Sequence, residues 1–573
     1  MTSEESYKII SDDYVDLIVK YNGNPIALQQ YEQYSVHILN DSYAVIYLPK
    51  AMVTVNLVTK YNYFSIPQCY SLCSQQSLDA SGVTKLARTS TLNLRGEGVI
   101  VGIIDTGIDY TNPVFRHKDG TTKIISIWDQ EITSENQDPN IVYPAFYGTV
   151  YKSEQINQAI QSPDPFQIVP STDEIGHGTW MAGIAAGSED QENEFVGVVP
   201  DADILVVKLK LAKPFYREFF LIPATEPVYQ TNDILWGLQY LVDTARELHR
   251  PLSICVSLGS SQGSHDNSDV LNTMLSIAAD FPGIAITVAA GNEGNARRHF
   301  YSTIEPNGEP VTVDLNVGEN EKGFTMELWG NPPMIYTLDM RSPGGEYKSR
   351  ILENLAKNQE VVFVFERTVI NIDYFMVEAG TGKQVIMLRF KNPTVGNWKF
   401  QVYGRGDLKG DFHIWLPSDH LITEGTYFIN SNAYTTVTSP GNSIVPITIT
   451  AYNPSNDTLF SDAGRGYSAS GEVKPGLAAP GVNLLCPTLN HEYTLVSGTG
   501  VAAAHAAGIT AMVLEWSVVQ GNVPNMDTVG IKKFLVRGAK RKVSLDYPNR
   551  DWGYGIIDIY NSFNILRSDV MNK

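Results

Sequence analysis

The sequence predicts an α/β fold: a parallel sheet with helices on both faces, carrying a small N-terminal domain and interrupted by an inserted all-β sandwich. Three observations predict it. Apolar, β-branched runs of strand length alternate with helical stretches up to residue 298 and again from residue 441, the pattern of parallel strands joined by helices. Between 299 and 440 the helices vanish and short strands follow one another, punctuated by Gly, Pro and Asn, which reads as a sandwich. The first 68 residues form a third texture of short apolar runs separated by polar breaks.

Residues 1–68 contain YSVHIL, YAVIYL and VTVNLVT, the pattern of a small sheet with two helices. The segment ends at YFSIPQ, an extended stretch stiffened by Pro67. SLCSQQSLDASGVTKLA then reads as a helix. The first part of the α/β domain spans 69–298: GVIVGIIDTGID, ADILVVKLK, LSICVSLGS and IAITVAAG are strands, and DILWGLQYLVDTAREL and DVLNTMLSIAADF are helices between them. Ligands of such sheets bind where the strands end at their carboxyl side. Residues 299–440 form the insert, from PVTVDLNV to DFHIWLPS. The second part, 441–573, opens with ITITAYN and supplies the helices GVAAAHAAGITAMVLEWSVV and TVGIKKFLVRGAKR.

Composition narrows the function. With 42 Lys+Arg against 62 Asp+Glu, the net charge of −20 disfavours nucleic acid and anionic membrane as partners. MTSEESYKIISDDYVDLIVK is not a secretory signal, and no apolar run of the length of a membrane span is evident. Four cysteines, Cys69, Cys73, Cys255 and Cys486, are too few to staple so long a chain. Cys69 and Cys73 on one helix face would suit a zinc or redox pair; buried thiols in a reducing compartment are the simpler reading. The acidic run SEDQENE at 188–194 matches no calcium loop spacing, so neither a metal nor a cofactor is expected. The basic cluster from Lys532 to Lys542 falls at a helix end, where cations favour the dipole.

Four motifs carry the chemistry. Asp105 ends the strand of IIDTGID. A lone DTG cannot build an aspartic protease, which needs two carboxylates sharing a proton, and the chain has no second D-[ST]-G. His177 lies in GHGT, among glycines that permit the close packing an Asp-to-His hydrogen bond requires. Asn292, in AAGN, places an amide donor at a strand mouth, as an oxyanion hole requires. SGTGVAAAHAAG feeds a helix N-terminus where a nucleophilic serine would project, but the slot holds Gly500.

In this order (Asp, His, Asn, nucleophile) the motifs resemble the subtilase family of subtilisin-like serine proteases, whose chain order is Asp, His, Ser. GVVPDADILVVKL, KPGLAAPGV and WGYGIIDIYNS add to the likeness. The resemblance implies that Asp105 is the triad carboxylate, His177 the base, Asn292 the oxyanion donor and Gly500 a degenerate nucleophile position. It also implies that Ser257, Leu258 and Gly259 form the edge that receives an extended substrate. Trp180 stands where a non-catalytic His is usual, and Ala504 where Pro is common. The N-terminal domain corresponds to a prodomain of intramolecular-chaperone type, with its junction expected at Gln68–Cys69 and IPQ lying in the cleft.

A prodomain without a secretion signal, with a jelly-roll sandwich between the Asn and nucleophile motifs, is most similar to the Csp germination proteases of clostridial spores. The missing serine implies a pseudoprotease member, located in the spore, that regulates germination by binding a Csp protease or a cortex-hydrolase zymogen, or by sensing a small-molecule germinant. The alternative is an active germination protease cleaving that zymogen, in which glycine has been introduced in place of serine. The retained Asp105, His177 and Asn292 lead to the expectation that Gly500→Ser restores self-cleavage near Gln68.

Overall fold

The apolar runs read as strands pair side by side in the computed structural model, which describes residues 3–53, 56–73, 93–133, 145–350 and 356–571. Among these residues the central sheet has nine strands. Its order from one edge is Thr458–Leu459, Ile447–Asn453, Ile284–Ala289, Leu252–Val256, Ile100–Asp105, Asp203–Lys208, Ile124–Asp129 and Thr149–Lys152, and Leu477–Pro480 lies parallel beside Ile447–Asn453. The interior pairs are parallel and the two outermost antiparallel. Strands buried on both faces must be apolar throughout, and all six residues of Ile100–Asp105 and of Ile284–Ala289 are buried.

Helices cover both faces. His177–Ala186 and Thr499–Leu514 pack in one core, Thr231–Glu247 and Val270–Ala279 in the other. All sixteen residues of Thr499–Leu514 are buried, and its small residues allow the close approach this needs. A Cβ at Gly508 would lie 2.7 Å from Val198 Cγ1. Continued to Val519, this helix is long and apolar enough to cross a membrane, contrary to the sequence expectation that no such run occurs, yet 89% of its most apolar stretch is buried inside the fold. It is the core helix of the sheet.

The insert is a sandwich of two antiparallel sheets. One runs His299–Ile304, Gly410–Trp415, Gly323–Gly330, Gln384–Lys391, Thr368–Phe375, Ala356–Phe363; the other runs Tyr347–Lys348, Ile335–Arg341, Gly396–Arg405, Val311–Val317, Tyr427–Phe428. Alternation sets the faces: Val313, Leu315 and Val317 are buried while Thr312 is exposed. At the junction with the α/β unit, His265 stacks on Trp415 at 4.1 Å. His413 and His299 stack on the same indole at 4.9 and 5.0 Å.

The N-terminal unit pairs Tyr14–Lys20 and Ser35–Ile38 on either side of Tyr43–Pro49. Its core is shared: Leu17 and Ile46 pack with Tyr216 and Phe220 of the α/β unit and with Trp329 and Met387 of the sandwich. Polar groups reinforce that junction. The buried Asp16 carboxylate accepts from Lys213 Nζ (2.6 Å), Gln230 Nε2 (2.7 Å) and Asn232 Nδ2 (3.0 Å), and Glu327 of the sandwich accepts from Tyr63 Oη (2.8 Å) and Gly263 N–H (3.0 Å). Cys69–Leu72 is a strand, not the start of the expected helix. The rest of that stretch, 74–92, lies outside the described residues.

Candidate functional site

Asp105 sits, fully buried, at the carboxyl end of the strand that the IIDTGID run forms. Its two oxygens are fully engaged. Oδ1 accepts from His177 Nδ1 (2.7 Å) and Thr106 N–H (2.8 Å), and Oδ2 from Ser257 Oγ (2.6 Å). Facing a carboxylate, Nδ1 carries the imidazole proton, which leaves Nε2 as the basic lone pair. That Nε2 is buried and has no hydrogen-bond partner. The base is oriented, but nothing donates to it.

The turn that delivers His177 is held by a residue the motif reading passed over. Asp173 accepts from Gly176 N–H (2.8 Å), Thr179 N–H (2.9 Å), Thr179 Oγ1 (2.7 Å) and Thr106 Oγ1 (2.8 Å). Gly176 takes φ +87, a conformation glycine adopts without strain. Gly178 rests on Gly107, leaving no space for a side chain. Asp173 stands four residues before His177 in DEIGHGT, so an acid beside a Gly-flanked histidine was the available signal.

Asn292 follows the strand Ile284–Ala289, and Gly291 takes φ +84. Its Oδ1 accepts from Thr499 N–H (3.1 Å) and Thr499 Oγ1 (3.0 Å). The amide hydrogens are thereby left to meet an oxyanion. The same bonds commit the Thr499 hydroxyl, and Ser497 Oγ accepts from Asn483 N–H (3.3 Å). Neither neighbouring hydroxyl is hydrogen-bonded to His177 Nε2.

The chain's own strand occupies the cleft. Leu72 and Ser71 pair antiparallel with Leu258 and Gly259, Cys69 and Tyr70 pair antiparallel with Gln230 and Tyr229, and Cys73 N–H donates to Ser257 O (3.1 Å). A substrate entering such a groove extends both edges as a middle strand. At its end the Cys73 carbonyl fills the space a side chain at Gly500 would need. A Cβ built there would overlap Cys73 O, lie 2.7 Å from Cys73 C and stand 3.3 Å from Ser257 Cβ.

Two sequence expectations are corrected by this geometry. The carbonyl that lies against residue 500 is that of Cys73, not that of Gln68. Gln68 is paired with Thr231 (2.8 and 3.0 Å) at the far end of the strand, five residues or roughly 16 Å away. A serine at 500 also does not simply fit: the site as folded is built around a glycine. Burial pushes the Cys69 thiol up to about 12 and the Cys73 thiol higher still, with Glu293 and Asp105 adding to the latter. Both are protonated thiols on one extended strand, which removes the basis for a zinc or redox pair on a shared helix face.

A cavity of about 340 Å³ opens beside Thr106 and Tyr229. Its cations are already committed: Lys208 pairs with Glu174 (3.0 Å) and Glu131 (3.3 Å), and Arg217 donates to the carbonyls of Pro223, Ala224 and Glu226. Among the described residues no group of three or more His, Cys, Asp or Glu could hold a metal ion.

Comparison with known proteins matches the subtilase family over residues 96–316 and 419–555. A solved structure of the CspB protease of Clostridium perfringens superimposes with a TM-score of 0.75 and 29% identity, covering 85% of this chain and 97% of that one. A subtilisin-like protease of Arabidopsis thaliana, SBT3.6, is 23% identical over 78% of this chain and 59% of its own length. The minor extracellular protease Vpr of Bacillus subtilis is 22% identical over 82% of this chain and 52% of its own length. The chain thus spans little more than half the length of these two relatives.

Proposed function

Because the chain belongs to the subtilase family, and within it resembles the CspB protease, we propose that it is a pseudoprotease that regulates spore germination by binding other germination proteins. One observation carries the reading. The nucleophile slot holds a glycine, and the carbonyl of Cys73 occupies the space the nucleophile's side chain would take. Acyl transfer by this machinery needs a hydroxyl that His177 deprotonates, and His177 Nε2 meets none. In subtilisin itself, a member of this family, loss of the serine lowers kcat by about 10⁶.

What the fold retains is suited to binding. The N-terminal unit, the α/β unit and the sandwich share one core, a rigid platform whose surfaces remain available although its chemistry is lost. The partners proposed are a Csp protease or the cortex-hydrolase zymogen that such a protease cleaves.

The test uses the full chain in two assays. A fluorophosphonate probe for activated serines is expected to leave it unlabelled, with its intact mass unshortened. Added to an active Csp protease and its zymogen, the chain is expected to change the rate of zymogen cleavage. Labelling, or loss of the first 73 residues, would overturn the pseudoprotease reading. An unchanged zymogen cleavage rate would overturn the regulatory one.

A further inference from the structure

Residues 532–542, KKFLVRGAKRK, hold six cations and no acid in a chain of net charge −20. The structure divides them into two sets. Lys532 lies back against the fold, its Nζ 3.5 Å from Ile444 O. Arg541 donates from Nη2 to Val536 O (2.6 Å), in the last turn of the helix Thr528–Gly538, and from Nε to Tyr554 O (2.9 Å). Lys542 donates to Asp457 O and covers the Trp552 ring at 4.2 Å. These three fasten the segment to the fold. Lys533, Arg537 and Lys540 are exposed, and neither the Lys533 nor the Lys540 ammonium has a hydrogen bond or ion pair among the described residues. Lys533 and Arg537 stand four apart on the helix, hence on one face. The helix dipole does not account for the two lysines. Its effect falls off within the last turn, whereas Lys533 lies in the middle of the helix and Lys540 past its end.

Beside these cations the chain places aliphatic side chains in water: Val543 is fully exposed and Leu545 is exposed as well. The turn that carries them is fixed by Lys540 N–H to Ile556 O (2.8 Å), Ile556 N–H to Lys540 O (2.9 Å) and Leu545 N–H to Lys542 O (3.1 Å), so a partner meets a preformed surface. We propose that Lys533, Arg537, Lys540 and Val543 form a docking face for an acidic segment of a partner protein, whose carboxylates meet the cations while an aliphatic or aromatic residue covers Val543 and Leu545. Charge complementarity selects that occupant. The field of a chain of charge −20 repels nucleic acid and anionic membrane, which are large polyanions that face much of its surface. A short acidic segment meets this face alone. The cleft takes no part. This deepens the proposed binding function by assigning it a surface, and it rests on that reading.

The experiment measures fluorescence anisotropy of a labelled peptide of repeated Glu-Glu-Leu-Ala with the full chain, beside a Lys-Lys-Leu-Ala and a Glu-Glu-Ser-Ser peptide. The acidic leucine peptide is expected to bind most tightly, and at least about 10-fold more weakly in 1 M than in 0.1 M salt, as the screening length falls from about 10 Å to about 3 Å. Lys533→Glu/Lys540→Glu turns two attractions into repulsions and is expected to weaken binding about 10-fold or more, and Val543→Ser about threefold. Lys118→Glu/Lys391→Glu makes the same change of charge at exposed lysines on other elements and is expected to bind as the native chain does. No peptide binding, equal loss in both double variants, or tighter binding of a DNA duplex or of phosphatidylglycerol vesicles than of the peptide would overturn the docking face. The zymogen cleavage assay separates this from the regulatory reading. A native chain that changes cleavage, with Lys533→Glu/Lys540→Glu changing it equally, would overturn the face and leave that reading standing. A native chain without effect on cleavage, but with peptide binding lost only in Lys533→Glu/Lys540→Glu, would overturn the regulatory reading and support the face.

Discussion

Gly500→Ser separates a site that merely lost its hydroxyl from one rebuilt around that loss. The added Cβ overlaps Cys73 O and lies 2.7 Å from Cys73 C, where carbon atoms ordinarily stand at least about 3.5 Å apart. The carbonyl must therefore withdraw by more than about 1 Å. It is not free to do so: Cys73 N–H is bonded to Ser257 O (3.1 Å), and Leu72 and Ser71 are paired with Leu258 and Gly259. Overpacking of this kind costs roughly 1–3 kcal/mol and the strained hydrogen bond about 1 kcal/mol. Together they amount to about 2–4 kcal/mol, or about 30- to 700-fold in the equilibrium that seats the strand. Gly500→Ala carries the same Cβ and pays the same penalty without a hydroxyl. Hydrogen exchange over residues 66–73 and intact mass should be followed for both variants beside the native chain. Both are expected to show faster exchange, and the serine form is expected to remain full length or to be cut slowly, because a misplacement of about 1 Å costs about 10² in rate. Prompt cleavage after Cys73 in the serine form alone, with native exchange in both, would refute the reasoning.

The other predictions concern the contacts that hold the three units together. Asp16→Ala leaves Lys213 buried without its carboxylate. Burial already pulls the Lys213 ammonium down and Asp16 opposes this, so a loss of about 3–5 kcal/mol should appear as a lower Tm and as proteolysis of the N-terminal unit before the sandwich. The stacked histidines predict acid sensitivity. Burial lowers His265 to about 4 and His299 to about 3, and lowers His413 as well. Each folded value lies below the unfolded value of about 6.5, so the unfolded chain binds more protons below pH 6.5. Stability from these groups is therefore full above pH 6.5 and is lost as pH falls toward 3–4, with His265 alone worth about 3 kcal/mol. Thermal melts between pH 7 and 4 should fall less steeply for His299→Phe than for the native chain; equal slopes would remove the stack as the cause.

Much of this molecule could be read without a structure. Ile100–Asp105 and Ile284–Ala289 are β-branched runs too short for helices, and they became buried parallel strands because no other element of that length satisfies apolar residues on both faces. The helix-free stretch from His299 to Trp415 became two antiparallel sheets for a similar reason: alternation such as VTVDLNV can bury only one face. Asp105, His177 and Asn292 were identifiable because each lies in a glycine-bearing motif whose local geometry serves its chemistry.

The conformation of Cys69–Cys73 was not readable, since nothing in SLCSQQ favours a strand. It is extended because Tyr229–Gln230 and Ser257–Gly259, more than 150 residues along the chain, supply its hydrogen bonds. The sequence by itself determined the central strands, the helices that cover them and Asp105, His177 and Asn292 at the site, because these follow from local periodicity and from glycine's conformational freedom. Only the tertiary structure decided which peptide bond faces Gly500 and whether a serine has room there, because both depend on distances of an ångström or less between segments that meet only in the folded chain.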